Sequence, residues 1–248
     1  MISYDTSSSR YLALNCAEER IQVVLGTARE VMFSEEIHCP GQSIRHLPTA
    51  IERALRVQAM RAGDLAGIAC VRGPGSFTGL RIAHAAMHGL SRPHGIPMAG
   101  LLYPQVLATQ AEPFAHGSEL WVLTYARKGQ VYLQGFDASA PLTPVCPLPV
   151  AKALEQLQSR PAGIFLLGSG LRKNSELLVL PDAIVLPQVL DTPLPASLLA
   201  AACAAAYTSR PPQPLYLRKS DAEDNLVFIA ASRGIPAAEA RKHIPDFE

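Results

Sequence analysis

The stretch VRGPGSFTGLRIAHAAMHGLS, residues 71–91, places a glycine-rich turn between two apolar segments. Gly73 and Gly75 can adopt backbone angles that other residues rarely reach, and Ser76 is a favourable N-cap for a following helix. Such a turn could bind a phosphate through the N–H groups that start the helix. It carries no P-loop lysine, however, and matches neither common phosphate-binding fingerprint. The motif therefore favours a tight strand-to-helix connection, with anion binding as the alternative.

The helix predicted after this turn covers residues 77–90. One of its faces is lined at helical spacing by mostly small residues: Gly79, Ala83, Ala86 and Leu90. That stripe suits close packing, either against a partner or against the chain's own sheet. We expect Arg81, His84 and His88 on the opposite, solvated side. His84 and His88 are four residues apart, which suits a metal, but no third ligand joins them at a telling spacing.

The 248-residue chain is 48% hydrophobic and 17% charged, which is typical of a globular protein. The net charge is only +1, whereas a protein that binds nucleic acid by itself usually carries a clear excess of basic residues. Five widely spaced cysteines without a CxxC pair predict buried, reduced thiols. Because the first ten residues hold no apolar signal core and residues 194–207 are too short to span a bilayer, we expect a soluble, cytoplasmic protein without membrane association.

Two successive units of strands and helices follow one another along the chain. The first is predicted to contain three antiparallel strands, a helix, a buried strand and the helix after the glycine turn, at residues 11–15, 20–25, 29–37, 44–55, 65–71 and 77–90. The second repeats this order more loosely, at residues 120–125, 130–136, 149–158, 163–167, 183–186 and 196–207. The repetition predicts a duplicated α/β fold with subdomains at residues 1–100 and 101–218 and a polar tail at residues 219–248.

Residues 72–81, RGPGSFTGLR, resemble the signature RGPGSFTGxR of the TsaB family, also called YeaZ, whose members are bacterial partner proteins for making threonylcarbamoyladenosine in tRNA. The matching loop residues are Arg72, Gly73, Pro74, Gly75, Ser76, Thr78 and Arg81. Weaker resemblances extend over nearly the whole chain, at residues 12–25, 43–48, 126–132, 168–170 and 216–218.

This resemblance implies an actin-like, Hsp70-type fold of two related subdomains without a complete nucleotide site. It also implies a non-catalytic subunit without cofactor or metal, which pairs with its paralogue TsaD, the carbamoyl-transferring subunit. The ATPase TsaE would join the pair, tRNA would be met only through the complex, and a homodimer would form when the chain is alone. The implied interface lies on the first two helices: Ile44, Leu47, Ile51, Ala54, Leu55, Phe77, Gly79, Leu80 and Ala83.

Four polar positions depart from the family pattern. Asn15, followed by Cys16, stands where the first strand of the fold normally ends in an aspartate, and a neutral amide is a poor ligand for magnesium. Gln42 replaces a frequent histidine, while Tyr125 and Gln130 replace the two carboxylates of the motif DARxGEVY. Residues 5–7, Asp-Thr-Ser, resemble the missing phosphate motif but precede the strand instead of ending it.

Two alternatives remain open at this point. An actin-like ATPase or small-molecule kinase needs an acidic residue at the end of the first strand, which Asn15 opposes. A diverged interaction module outside the tRNA pathway is favoured by the changes at Gln42, Tyr125 and Gln130. Peptidase activity is disfavoured because HExxH is absent and Ser76 lies outside a GxSxG nucleophile elbow.

Overall fold

Three antiparallel strands open the described part of the chain, residues 8–218 of the computed structural model. They are β1 (Tyr11–Asn15), β2 (Arg20–Gly26) and β3 (Val31–His38). Nearly all of β1 and β2 is buried because both lie inside the sheet, whereas exposure alternates along the edge strand β3. The predicted hairpins are confirmed, and Asn15 ends β1 as expected.

The next elements complete the first sheet: α1 (Ser43–Val57), β4 (Gly67–Gly73), α2 (Phe77–His94) and β5 (Met98–Leu102). The sheet order is β3-β2-β1-β4-β5, and strands β1, β4 and β5 run parallel. Helix α2 continues past the predicted residue 90 until Gly95, whose positive φ of 64° ends it. Pro48 lies inside α1, where its missing N–H removes the helical bond to the Ile44 carbonyl.

Helix α3 (Tyr103–Ala115) connects the two halves and was not predicted from the sequence. It is apolar around most of its circumference because it is buried, with Val106, Leu107, Ala108 and Ala111 almost fully inaccessible. Its polar side is narrow and comprises Gln105, Thr109 and Glu112, so the amphipathic period by which sequence patterns identify helices is weak. The predicted subdomain boundary at residues 100/101 falls within β5 and stays a prediction.

The second half contains the remaining elements: β6 (Glu119–Arg127), β7 (Gln130–Asp137), β8 (Ala140–Pro141), β9 (Cys146–Pro149), α4 (Val150–Gln158), β10 (Phe165–Leu167), α5 (Ser169–Lys173), β11 (Ile184–Val185) and α6 (Pro195–Cys203). Strands β8 and β9 were not predicted, and α6 ends before the expected residue 207. The predicted hairpin of β6 and β7 is confirmed.

The two sheets repeat one topology. In the second sheet β7 pairs antiparallel with β6, β8 and β9, while β6, β10 and β11 run parallel, in the order β11-β10-β6-β7-β8. This is the strand order of the first sheet, so the duplicated, actin-like α/β fold is confirmed. One hydrophobic core contains residues of both sheets and of the two helices α3 and α6.

These elements all belong to one compact unit that extends to Leu215, and Tyr216 begins a second unit. The predicted polar tail at residues 219–248 and the Asp-Thr-Ser stretch at residues 5–7 lie outside the described residues. Within residues 8–218, no helix is both long enough and apolar enough to cross a bilayer.

Candidate partner interface

The glycine turn before α2 packs against the hairpin between β1 and β2. The Ser76 N–H donates to the Ala17 carbonyl at 2.6 Å, and the Ser76 hydroxyl caps the helix by accepting from the Gly79 N–H at 3.2 Å. A Cβ on Gly75 would overlap the Ala17 carbonyl, and one on Gly79 would overlap the Cys16 carbonyl. The glycines therefore let the hairpin backbone approach closely, as expected for a tight strand-to-helix connection.

Asn15, at the end of β1, belongs to a closed network of amides. Its Nδ2 donates to Gln22 Oε1 at 2.8 Å, and its Oδ1 accepts from the Ala17 N–H at 2.9 Å. The Gln22 Nε2 donates in turn to Glu36 Oε2 at 2.9 Å and to the Pro193 carbonyl at 2.7 Å. Since Asn15 is only 2% exposed, it acts as a packed polar residue of the core.

A carboxylate from the same hairpin bridges the two halves of the fold. Glu18 accepts hydrogen bonds from the hydroxyls of Ser169 and Tyr103, the latter at 3.4 Å. Burial raises the pKa of Glu18 from the usual 4.5 to about 7, against the opposing effects of these hydrogen bonds and of the Lys173 charge. Beside it, Lys173 pairs with Glu19 at 2.6 Å. Residues more than 150 positions apart thereby connect the two halves.

The second glycine turn, between β10 and α5, is also occupied by groups of the chain itself. Gly168 has a φ of 118°, and a Cβ there would overlap the Leu123 carbonyl. The Gly168 N–H donates to Asp191 Oδ1 at 2.7 Å, while Arg172 pairs with Asp191 Oδ2 at 2.8 Å. In both turns, therefore, a backbone N–H group donates a hydrogen bond to an acceptor of the chain itself.

Two of the other substituted positions, Tyr125 and Gln130, contact cationic side chains although they are neutral themselves. The Lys173 ammonium lies 4.4 Å from the centre of the Tyr125 ring. Gln130 Oε1 accepts from Arg127 Nε at 2.9 Å. Gln42 is exposed and precedes α1 without capping it through its side chain. Tyr125 and Gln130 therefore still contact cations where the family motif has carboxylates.

Most of the residues predicted to meet a partner lie instead in the chain's own core. Buried residues among the nine are Leu47, Ile51, Ala54, Gly79, Leu80 and Ala83. Those of α1 pack on the sheet, and Gly79 and Leu80 are held at the hairpin and the core, so these six cannot touch a partner in this structure. Ile44 is 70% exposed and Phe77 38% exposed, while Leu55 is half-buried. For these three, an interface role stays a prediction.

The outward face of α2 combines residues that the sequence interpretation named, Phe77, Thr78 and Arg81, with Ile82 and Ala85, which it missed. A shallow groove of about 360 Å³ is lined by Phe77, Thr78, Arg81, Ile82 and Ala85. The Arg81 guanidinium lies over the Phe77 ring at 5.2 Å. Further along the helix, a Cβ on Gly89 would meet open space. We call the outward-facing side of α1 and α2 the helix-pair surface; it includes Ile44, Arg45, Glu52, Leu55, Arg56, the groove residues, His88, Gly89 and Arg92.

His84 does not share the solvated face expected for it. Its Nδ1 lies 2.8 Å from the Leu80 carbonyl and its Nε2 3.6 Å from the Cys70 sulfur. Burial lowers the pKa of His84. Because both ring nitrogens face the interior, His84 and the exposed His88 do not converge on one site. Within residues 8–218 no three potential metal ligands cluster together.

The five cysteines are free thiols in the structure. Cys16, Cys39 and Cys70 are buried as expected, but Cys146 and Cys203 are only half-buried. Burial raises the pKa of Cys16 to about 12, which keeps it a protonated, unreactive thiol.

Comparison of the sequence with known proteins finds similarity to TsaD and TsaB proteins. Residues 40–141 match the family model described as TsaD, tRNA N6-adenosine threonylcarbamoyltransferase. The tRNA threonylcarbamoyladenosine biosynthesis protein TsaB of Escherichia coli is 29% identical over 123 residues, covering 50% of this chain and 53% of that protein. The protein of the same name from Buchnera aphidicola is 29% identical over 104 residues, covering 42% of this chain and 50% of that protein. The chain thus spans about half the length of the curated relatives it matches.

Solved structures support the same relationship at the level of the fold. YeaZ from Pseudomonas aeruginosa is 20% identical with a TM-score of 0.63, covering 97% of this chain and 100% of that one. A second Pseudomonas aeruginosa protein, described as similar to peptidase YeaZ, is 21% identical with a TM-score of 0.69, covering 85% of this chain and 100% of that one. Together with the ten-residue turn and the duplicated sheets, these comparisons show that the chain is similar to TsaB, or YeaZ, proteins in sequence over half of its length and in fold over most of it.

Proposed function

We propose that the chain is a non-catalytic subunit of threonylcarbamoyladenosine biosynthesis on tRNA, and that it pairs with the TsaD paralogue through the helix-pair surface. TsaE would join the complex, and tRNA would be met only through it. The names of the two curated relatives support the pathway. The match to the TsaD family model covers residues 40–141, which include α1 and α2.

The observation that carries the pairing is the groove on α2. Phe77, Ile82 and the small Ala85 are among the residues that line it. Exposed aromatic and aliphatic side chains beside small residues allow a partner helix to pack closely. The buried faces of α1 and α2 are already covered by the sheet, so the outward faces are the ones left for another chain.

The absence of intrinsic catalysis is part of this proposal. Asn15 is hydrogen-bonded to Gln22 and to the Ala17 N–H, and the Gly168 N–H of the second glycine turn donates to Asp191. Because the chain itself engages these polar groups, the contacts argue against the actin-like ATPase or kinase alternative.

The pairing can be tested by size-exclusion chromatography with light scattering on the protein mixed with TsaD from the same organism. We expect a stoichiometric complex for the wild type. Ala85→Arg should weaken it at least tenfold, because a long charged side chain would fill the groove. Arginine is a good helix former, so the fold should survive, which a thermal unfolding curve checks.

Ala151→Arg is the matched control, since Ala151 is an exposed helical alanine on α4, outside the helix-pair surface. It should leave the complex intact. If the wild type does not bind TsaD at micromolar concentration, the proposed pairing is wrong and the interaction module outside the tRNA pathway gains support. If Ala85→Arg pairs as well as Ala151→Arg, pairing occurs through another surface.

A further inference from the structure

A carboxyl group from one half of the fold lies among hydroxyl groups from outside its own hairpin. Glu18 belongs to the turn between β1 and β2, and the hydroxyl of Ser169 on α5 donates a hydrogen bond to its Oε1. The hydroxyl of Tyr103, at the start of α3, donates a longer bond of 3.4 Å to its Oε2. Each carboxyl oxygen thus has one hydroxyl partner, as the two oxygens of a bound carboxylic acid would have.

The two hydroxyl groups are held in place by contacts that do not involve Glu18. The Ser169 Oγ accepts a hydrogen bond from the Tyr125 N–H at 2.9 Å, which leaves the hydroxyl hydrogen for the carboxyl group. Tyr103 is only 1% exposed and belongs to the core that contains residues of both sheets. The geometry of the site therefore does not depend on its occupant.

The hairpin that presents Glu18 is anchored on both sides of this residue. The Ala17 carbonyl accepts from the Ser76 N–H at 2.6 Å, and the Glu19 carbonyl accepts from the Cys39 N–H at 2.9 Å. Both bonds are made by the backbone of the hairpin. Shortening the Glu18 side chain should therefore leave the hairpin in place.

The charged side chains that act on the Glu18 carboxyl group are engaged with other partners. Lys173 pairs with Glu19 at 2.6 Å, and Asp191 pairs with Arg172 at 2.8 Å. The direct hydrogen-bond partners of the carboxyl group are neutral hydroxyls, and desolvation raises its pKa to about 7. Such surroundings suit a carboxyl group, which can take up a proton and become neutral, and disfavour a phosphate, which stays charged near neutral pH.

We propose that Tyr103 and Ser169 form a binding site for a small carboxylic acid between the two halves, and that the side chain of Glu18 fills it as a ligand supplied by the chain itself. The two halves are thereby linked without an outside molecule. Glu18 is partly exposed, so the site opens to solvent once this side chain is shortened. The inference concerns the isolated chain and is independent of its pairing with TsaD.

The test removes the tethered ligand and supplies a free one. Glu18→Ala is unfolded thermally at about pH 6 in about 100 mM sodium formate and, for comparison, in sodium chloride of the same ionic strength. Formate is the smallest carboxylate, and a ligand of so few atoms binds in the millimolar range at best. At about ten times its Kd, formate should raise the Tm of Glu18→Ala by about 3–5 °C relative to chloride. The wild type, whose site is filled by Glu18, should show no such rise.

Three comparisons locate the effect at the proposed site. Glu18→Ala combined with Ser169→Ala should lose most of the formate effect, because one of the two hydroxyls is missing. Sodium pivalate, which carries the same charge on a bulkier group, should not stabilise Glu18→Ala, and neither should inorganic phosphate. If Glu18→Ala is unfolded without additive, its refolding in formate is compared with its refolding in chloride, and only formate should restore the folded protein.

The proposal is overturned if Glu18→Ala melts at the same temperature in formate and in chloride, or refolds in neither. An equal formate effect in the wild type or in the double variant would also overturn it, because the effect would then come from the salt in general. Stabilisation by phosphate or pivalate as large as that by formate would reject a site specific for small carboxylic acids. Binding to TsaD is measured separately by the comparison of Ala85→Arg with Ala151→Arg, so the two proposals can fail independently.

Discussion

Glu18 is the residue whose environment departs most from what its sequence neighbours suggest. It follows Ala17 in a short hairpin, a position that usually leaves a carboxylate in solvent. In the structure it accepts from Tyr103 and Ser169 and its pKa rises to about 7 because of burial. A carboxyl group with a raised pKa favours the folded state when protonated. Its contribution to stability is therefore complete below about pH 4.5 and declines as the pH rises through 7.

Glu18→Gln should remove this pH dependence, because glutamine stays neutral. We expect the free energy of unfolding of the variant minus that of the wild type to increase between pH 5 and pH 8, by on the order of 1–3 kcal/mol. Urea unfolding at several pH values measures it. The exposed Glu30→Gln is the control and should show no such trend. A constant difference between Glu18→Gln and the wild type across this range would mean that Glu18 is ionised in the folded state throughout.

Helix α2 illustrates how two faces of one element acquire different tasks. The stripe of small residues that includes Gly79 and Ala83 faces inward, where it lets α2 pack on the hairpin and the sheet. The outward side, with Ala85 and Gly89, stays open. Small residues thus allow close packing on both sides of α2: against the chain's own hairpin and sheet on the inner side and, in our proposal, against a partner on the outer side.

Two glycine substitutions on α2 should have opposite effects on stability. Gly79→Ala should destabilise the isolated protein by about 1–3 kcal/mol or more, because its Cβ would overlap the Cys16 carbonyl. Gly89→Ala should stabilise it by roughly 0.5–1 kcal/mol, because a Cβ there meets open space and alanine favours the helix. Chemical denaturation of both variants tests this. Equal effects of the two substitutions would contradict the assigned inner and outer faces.

At the scale of the whole molecule, the two sheets are joined where an actin-like protein with a nucleotide would bind phosphate. Glu18 crosses to Ser169, Lys173 pairs with Glu19, and Gln22 donates to the Pro193 carbonyl. These contacts link the halves directly through carboxylate and amide side chains of the chain itself. The arrangement suits a rigid body better than a hinge that closes on a ligand.

Mg-ATP should therefore leave the thermal stability of the isolated protein unchanged. A ligand that binds the folded state at 100 times its dissociation constant stabilises it by about 2.7 kcal/mol, which would raise the melting temperature by several degrees. Thermal unfolding with about 1 mM Mg-ATP, compared with magnesium alone, measures this. A reproducible rise with nucleotide would show that the halves open to admit it.

The local pattern of the sequence was sufficient for the elements whose determinants lie close together. The alternation of short apolar runs and turns predicted β1, β2 and β3, and the N-cap at Ser76 with its neighbouring glycines predicted where α2 begins. The ten-residue signature indicated the similarity to the TsaB family that the comparisons also find. The repeated order of strands and helices predicted the duplicated fold, because each half repeats the same local pattern.

Only the tertiary structure decided what covers the small-residue stripe of α2, where α3 lies and how the two halves are joined. The sequence placed Arg81 and His88 on the solvated side of α2, but periodicity could not show whether the stripe meets a partner or the chain's own sheet. Helix α3 has only a narrow polar side, because most of it is buried. Glu18 and Ser169 are 151 residues apart in the chain, and a carboxylate's partner at that distance is selected by the packing of the two sheets, which no local pattern encodes.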